Sequence, residues 1–167
     1  MLFPKISAEE KLKREEEFRE KYPEMYERHK WADPIVAQYP QFFVETRTIG
    51  VRKGWKKIIE NLFSTLDFHI SNLPLEMQGQ IWVSQIKEKF GGLRVHFNHE
   101  TKFMRGAIMM AEAMSESTCE TCGADGKKHN VGGWVSTYCD PCHQVAIKEN
   151  EARQQKYLDS KPKRKKK

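Results

Sequence analysis

The chain has 167 residues, of which 38% are hydrophobic and 31% are charged, and its formal net charge is +6. This length fits one domain with appendages, and the low apolar share indicates that part of the chain lies outside the hydrophobic core. No apolar run approaches the roughly 18 residues that a membrane-spanning helix needs, so no membrane partner is expected. The N-terminus has no apolar signal region, and we therefore expect a cytoplasmic protein, where clustered thiols bind metal rather than form disulfides.

The positive charge is concentrated at the C-terminus. Six of the 29 Lys and Arg residues lie in the last seven positions, and without them residues 1–160 hold 23 basic and 23 acidic residues. A formally neutral body is not built to wrap nucleic acid, but a basic tail can contact phosphates without reading a sequence. The tail residues that are candidates for such contacts are Lys161, Lys163, Arg164, Lys165, Lys166 and Lys167.

Residues 1–49 predict a charged helical arm followed by an aromatic loop. Ser7 opens a capping box, which predicts the start of a helix over residues 8–30. That segment is dense in Lys, Arg and Glu, and Pro23 should kink or split it. Residues 31–50 show no clear period of apolar residues, so we expect a loop that packs its aromatic side chains inward, with a short strand near residues 43–46.

Residues 50–117 predict an α+β core in which a helix, a hairpin and a second helix follow one another. Helical spacing predicts an amphipathic helix over residues 54–71 whose core-facing stripe is Trp55, Ile58, Ile59, Leu62, Phe63, Leu66 and Ile70. A second helix is predicted over residues 101–117, with an apolar side formed by Phe103, Met104, Ala107, Ile108, Ala111 and Met114.

Between these two helices, strand-like runs flank Gly91 and Gly92. A two-residue primed turn requires positive φ angles, so the glycine pair predicts a hairpin in which Phe90 faces Leu93. Alternation then places an apolar set on the core face: Trp82, Ile86, Phe90, Leu93, Val95 and Phe97. The opposite face is cationic, and it is either a solvated face or a contact surface for phosphates and other anions: Lys87, Lys89, Arg94 and His96.

The four cysteines of the chain form two Cys-x2-Cys pairs, Cys119 with Cys122 and Cys139 with Cys142. This spacing predicts a tetrahedral site for one zinc ion. Four thiolates leave no open position for water, so we expect the zinc ion to be structural.

The segment that carries these pairs, residues 118–145, predicts a zinc ribbon. We expect two cysteine-bearing turns and a short hairpin, because the run 134–138 is strand-like. His129 and His143 can replace a ligand or interact with the ligands from outside. A polar helix and the basic tail are predicted over residues 146–167. The expected fold class is α+β, with helices on a small antiparallel hairpin sheet, a C-terminal four-cysteine zinc ribbon and a charged N-terminal helix.

An enzymatic alternative starts from the run Cys139-Asp-Pro-Cys-His143, which looks like the closing element of His-Asn-His endonucleases. In that family, two Cys-x2-Cys pairs flank an active site that contains a catalytic carboxylate–histidine pair. Here the residues between the pairs offer only Asp125 and His129-Asn130. A divergent metal-dependent nuclease is therefore an alternative, and no catalytic residue is assigned.

Several motifs follow one another in a characteristic order: Gly54-Trp55, Gln85–Arg94 around the glycine pair, Ala111-Glu112 with Ser115 or Ser117, Thr118–Gly123, and Trp134 with Thr137–Cys142. As a set, they resemble a family of small, mostly uncharacterised proteins of bacteria and their phages, which combine this hairpin with a four-cysteine zinc ribbon. The resemblance spans residues 50–142. It implies a bacterial or phage origin, with the host cytoplasm as location, and it carries no known activity.

The preferred functional hypothesis is a zinc-stabilised, non-enzymatic binding protein that contacts a host protein or nucleic acid. The first alternative is a nucleic-acid-binding protein that uses the basic tail and the cationic hairpin face without sequence preference. The second alternative is the divergent nuclease. No small-molecule cofactor other than zinc is expected.

Overall fold

The computed structural model describes residues 7–44 and 49–161 of the chain. Its helices are α1 (Ala8–Lys21), α2 (Pro23–His29), α3 (Asp33–Gln38), α4 (Lys56–Ser71), α5 (Leu75–Gln78), α6 (Lys102–Ser115) and α7 (Asp140–Asp159), with short 3-10 turns at Lys30–Ala32 and Lys53–Trp55. Its strands are β1 (Val83–Lys89), β2 (Gly92–Phe97), β3 (Lys127–Val131) and β4 (Trp134–Tyr138). They form two separate antiparallel hairpins, β1–β2 and β3–β4.

The charged N-terminal helix is confirmed. Ser7 caps α1, and its hydroxyl accepts a hydrogen bond of 3.1 Å from the backbone amide of Glu10. The Glu10 carboxylate does not complete the capping box, because it pairs with Arg14 one turn further along. The first helix ends before Tyr22, and Pro23 begins α2. Proline is favourable at this position, because the backbone nitrogen of the first helical residue needs no hydrogen-bond acceptor.

The loop prediction for the following segment is wrong over α3. Pro34 lies in the first turn of α3, a position in which proline is compatible with a helix, and Ile35 is buried beside it. The aromatic side chains do pack inward, since Phe42 and Phe43 are buried. Phe43 and Val44 lie in no strand, and the remaining residues of the predicted strand, Glu45 and Thr46, lie outside the described part of the chain.

The main core lies between α4, α6 and the β1–β2 hairpin. The predicted stripe of α4 is buried in full, and Trp55 and Phe63 are completely covered. Phe63 contacts the rings of Phe42 and Phe97, which joins α4 to the segment after α3 and to β2. The helix–hairpin–helix order of the core is thus as the sequence predicts.

The turn of the β1–β2 hairpin lies one residue earlier than predicted. Phe90 and Gly91 form it, with φ angles of 53° and 74°, while Gly92 pairs with Lys89 inside the ladder. The pairing therefore shifts by two residues, so that Glu88 rather than Phe90 lies opposite Leu93. A shift of two keeps each side chain on its face, but Phe90 moves into the turn and is 68% exposed.

The far end of the hairpin also differs from the prediction. The register is irregular between Val83 and Gln85, and Val83 pairs with Phe97. This bulge turns Val83 into the core, while Trp82 is only partly buried.

Helix α6 covers the open edge of β2 with side-chain acceptors. The Ser115 hydroxyl accepts a hydrogen bond of 2.8 Å from the Leu93 amide, and the Glu112 carboxylate accepts one of 3.2 Å from the Val95 amide. Two backbone donors of an edge strand are thereby satisfied. Phe103 lies outside the core, half exposed, and its ring stacks on His69.

The fold class is confirmed as mixed α and β, with two small antiparallel hairpins, charged helices and a cluster of four cysteines. None of the helices in the described part of the chain combines the length and the apolar character needed to cross a membrane.

Candidate metal centre

The four cysteines converge on one point. The sulfur atoms of Cys119, Cys122, Cys139 and Cys142 all lie within 4.8 Å of one another, and the Cys122 and Cys139 sulfurs are 3.5 Å apart. A tetrahedral ion with metal–sulfur bonds of about 2.3 Å needs sulfur atoms about 3.8 Å apart. The donor set fits a thiophilic ion of that size, so the residues are positioned to hold one metal ion.

The first cysteine pair lies on a tight turn. The Gly123 amide donates a hydrogen bond of 2.9 Å to the Cys119 carbonyl, and the Cys119 amide donates one of 2.7 Å to the Ala124 carbonyl. Gly123 has a φ angle of 84°, which side-chain-bearing residues rarely adopt. The turn leaves Cys119 buried and Cys122 exposed.

The second pair lies at the start of a helix and not on a second turn of the same kind. Cys139 is the residue before α7, and Cys142 falls in its first turn. The unpaired amides at a helix N-terminus favour negative charge, so this placement suits thiolates. The chain between the pairs forms the β3–β4 hairpin, as predicted, with Val131 opposite Trp134.

The protonation of the thiols depends on their neighbours. Burial alone would raise the pKa of Cys119, but backbone hydrogen bonds at Cys139, Cys122 and Thr121 outweigh it and lower the pKa to about 7. Burial and the adjacent sulfurs raise the pKa of Cys142. Four thiols this close cannot all ionise without a cation, so metal binding must release protons.

The ribbon (residues 118–145) is attached to the core by hydrogen bonds that backbone carbonyls accept. The Gly54 amide donates a hydrogen bond of 2.9 Å to the Glu120 carbonyl, and the Trp55 indole donates one of 2.8 Å to the Thr118 carbonyl. On the other side, the Thr137 hydroxyl donates to the Gly91 carbonyl in the β1–β2 turn. The metal centre therefore lies where the ribbon contacts the core.

The two histidines lie next to each other, outside the set of four sulfurs. The rings of His129 and His143 stack with their centroids 3.7 Å apart. The His129 Nε2 atom is buried and has no hydrogen-bond partner in the described part of the chain. Burial, and then the neighbouring His143, lower the pKa of His129. His143 directly follows Cys142, so both rings lie beside the start of α7, and their interaction with the ligands stays a prediction.

The residues of the predicted cationic face lie on the β1–β2 hairpin, and carboxylates of α6 and of the residue after it compensate part of their charge. Arg94 lies 4.0 Å from carboxylate oxygens of both Glu112 and Glu116. Lys89 and His96 are exposed, whereas Lys87 is partly buried. Whether this face binds an anion stays a prediction.

The basic tail is described only at its first residue. Lys161 follows the end of α7 and is exposed. Lys163, Arg164, Lys165, Lys166 and Lys167 lie outside the described residues.

A second site, which the sequence does not reveal, is a polar cleft between the ribbon and the core. Its volume is about 240 Å³. It is lined by one side of α7, by residues of the β3–β4 hairpin, and by Arg28, His29, Gly50–Arg52, Glu88 and Glu120. The buried Glu120 carboxylate lies 3.3 Å from the Arg52 guanidinium group. Burial raises the pKa of Glu120, against the effect of Arg52. Six segments that are separate in the sequence build the cleft, so no local pattern predicts it.

Comparison of the chain with protein-family models, curated proteins and solved structures finds no match.

Proposed function

We propose that the four cysteines bind one structural zinc ion and that the protein is a non-enzymatic binding protein of bacterial or phage origin, acting in the cytoplasm. The observation that supports the zinc ion is the closed set of four sulfurs, in which Cys119 is completely buried. Such a set offers four soft ligands and no position for a reacting water molecule. The ion then holds α7 and the ribbon against the core, and it takes no part in chemistry.

Metal analysis of protein purified without added metal tests this proposal. We expect one zinc ion per chain, and we expect Cys142→Ser to lose most of it. The matched control is His143→Ala, at the next position of the same helix, which should retain the zinc ion. A zinc-free wild-type protein would overturn the proposal.

A second candidate function is binding of nucleic acid through the C-terminal end. Residues 151–161 of α7 and its extension are all exposed, and the sequence continues into the tail with its six cations. Phosphates attract such a run without regard to sequence. A chain that ends at Ser160 should lose most of its affinity for DNA or RNA at low salt, and full-length protein that shifts neither would exclude this function.

The nuclease alternative rests on His129 and His143. The stacked rings lie beside α7, but no described carboxylate forms an ion pair with either of them. If the protein cleaved nucleic acid with a bound metal, His129→Ala and His143→Ala would each abolish cleavage while the zinc content stayed at one per chain.

A further inference from the structure

The cleft between the ribbon and the core contains two guanidinium groups without a carboxylate partner. Arg28 of α2 and Arg153 of α7 both line it, and neither forms an ion pair with any residue that the structure describes. The salt bridges that the described residues form involve other Lys and Arg side chains, for example Arg52 with Glu120. Arg28 and Arg153 are exposed and keep their full charge available to an anion.

The same cleft presents one large aromatic surface. Trp134 follows the turn of the β3–β4 hairpin, where Gly132 and Gly133 have φ angles of 61° and 88°. Its side chain lines the cleft and is 68% exposed, although an indole of this size is usually covered by its own protein. An exposed indole beside unpaired cations suits a ligand that combines a flat ring with a negative charge.

The floor of the cleft is polar. Glu120 is 4% exposed and pairs with Arg52, whose guanidinium group also lies 5.9 Å from the centre of the Tyr138 ring. Glu120 belongs to the cysteine turn, and Tyr138 immediately precedes Cys139. The metal centre and the floor of the cleft are therefore parts of one local structure.

We propose that this cleft binds one nucleotide of a single-stranded nucleic acid, with the base against Trp134 and the phosphate held by Arg28 and Arg153. The proposal rests on the nucleic-acid function given above, and it adds a specific contact to the unspecific attraction of the tail. A cleft of about 240 Å³ has room for one base but cannot enclose part of a folded partner.

Two other ligands fit less well. In a duplex the bases stack on each other and cannot reach an indole inside a cleft, so a single strand is required. A strongly acidic peptide would bring several carboxylates close to Glu88, Glu120 and Glu149, which also line the cleft. A nucleotide brings one phosphate charge and an uncharged ring.

Fluorescence anisotropy of a labelled single strand of about 12 nucleotides, a length within the range that one small domain covers, tests the proposal on the full-length zinc-loaded chain. DNA and RNA strands are measured, each also as a duplex. We expect single strands to bind more tightly than duplexes. Trp134→Ala should weaken single-strand binding by about 5- to 140-fold, which is the loss of one stacked base, and should leave duplex binding unchanged.

Matched control variants distinguish binding in the cleft from the general effect of removing an aromatic or a charged side chain. Phe68→Ala removes an aromatic side chain that is 75% exposed on α4, away from the cleft, and should not change binding. Arg153→Ala should weaken binding and reduce the slope of log affinity against log salt by about 0.7, whereas Lys148→Ala, which removes one charge from α7 outside the cleft lining, should do so less.

The outcomes distinguish this proposal from the function on which it rests. If single strands bind but Trp134→Ala behaves like Phe68→Ala, the cleft proposal is wrong and binding through the tail stands. If a chain ending at Ser160 keeps a residual single-strand affinity that Trp134→Ala removes, the cleft proposal is supported independently of the tail. If neither strand nor duplex binds the full-length chain at low salt, both proposals fall.

Discussion

The backbone amide of Gly54 donates a hydrogen bond to the carbonyl oxygen of Glu120, over a distance of 2.9 Å. The two backbones approach so closely that a Cβ atom at position 54 would lie 2.2 Å from the Cys119 carbonyl oxygen and 2.5 Å from the Glu120 carbonyl carbon. Only glycine fits at this contact. The 3-10 turn that precedes α4 is therefore in direct contact with the turn that carries two of the metal ligands.

Gly54→Ala tests this contact. The added methyl group meets backbone atoms on both sides, so we expect the free energy of unfolding of the zinc-loaded protein to fall by about 1–3 kcal/mol, as in other overpacked sites. Gly106→Ala is the control, since a Cβ atom there meets nothing within 4 Å and the site lies inside α6. That variant should gain up to about 1 kcal/mol from helix propensity. Chemical denaturation measures both, and equal effects would contradict the contact.

The β1–β2 turn predicts opposite effects of two substitutions at one position. Phe90 has a φ angle of 53° and is mostly exposed, so its side chain contributes little burial to offset the strain. Phe90→Asn should raise the free energy of unfolding by up to about 1 kcal/mol, because asparagine tolerates positive φ angles. Phe90→Val should lower it, because a β-branched side chain does not. Thermal unfolding of both variants tests the prediction, and a less stable asparagine variant would refute it.

Ser115 is predicted to stabilise the fold through the hydrogen bond that its hydroxyl accepts from β2, in addition to the one that it donates to the Glu112 carbonyl of its own helix. Its hydroxyl is the acceptor for the buried Leu93 amide. Ser115→Ala leaves that donor without a partner and should lower the free energy of unfolding by about 1–3 kcal/mol. Ser117→Ala removes an exposed hydroxyl that bonds only to the Met114 carbonyl, and a change within about 0.5 kcal/mol is expected. Urea titrations of the two variants should differ clearly.

Metal removal should affect the ribbon more than the core. The main hydrophobic cluster includes residues of α4, β1, β2 and α6, and no residue of the ribbon. After treatment with a chelator, we expect amide hydrogen exchange to become fast in β3 and β4, while amides of α4 stay protected. Re-addition of zinc should restore protection in the hairpin. A simultaneous loss of protection in α4 would show that the ion supports the whole fold.

The sequence predicts those elements whose signal is local. The period of apolar residues identifies α4 and α6, and the cysteine spacing identifies the cluster. The hairpin turn is misplaced by one residue because its register depends on contacts from outside the hairpin. Ser115 and Glu112 of α6 bind the amides of β2, and Thr137 of the ribbon binds the Gly91 carbonyl. These contacts cross 17 to 46 positions of the chain, and no local pattern contains them.

The cleft was missed for the same reason. Arg52 and Glu120 form an ion pair although they are far apart in the sequence, and Arg28 and Arg153 come from opposite ends of the chain. The error at α3 is different in kind. The segment lacks an apolar period and so predicts a loop, but α3 has only six residues, which is too short to show a period, and Pro34 lies in its first turn, where proline is well tolerated.

The length of α7 determines how strongly the metal centre at its start and the cation after its end interact electrostatically. The helix begins at the cysteine cluster and has 20 residues, so it is about 30 Å long. At physiological ionic strength, charges more than about 8 Å apart in solvent are largely screened from each other. Lys161, the first cation after α7, therefore lies several screening lengths along the helix axis from the thiolates. Gain or loss of the metal charge should therefore leave the local potential around Lys161 nearly unchanged for as long as α7 stays helical.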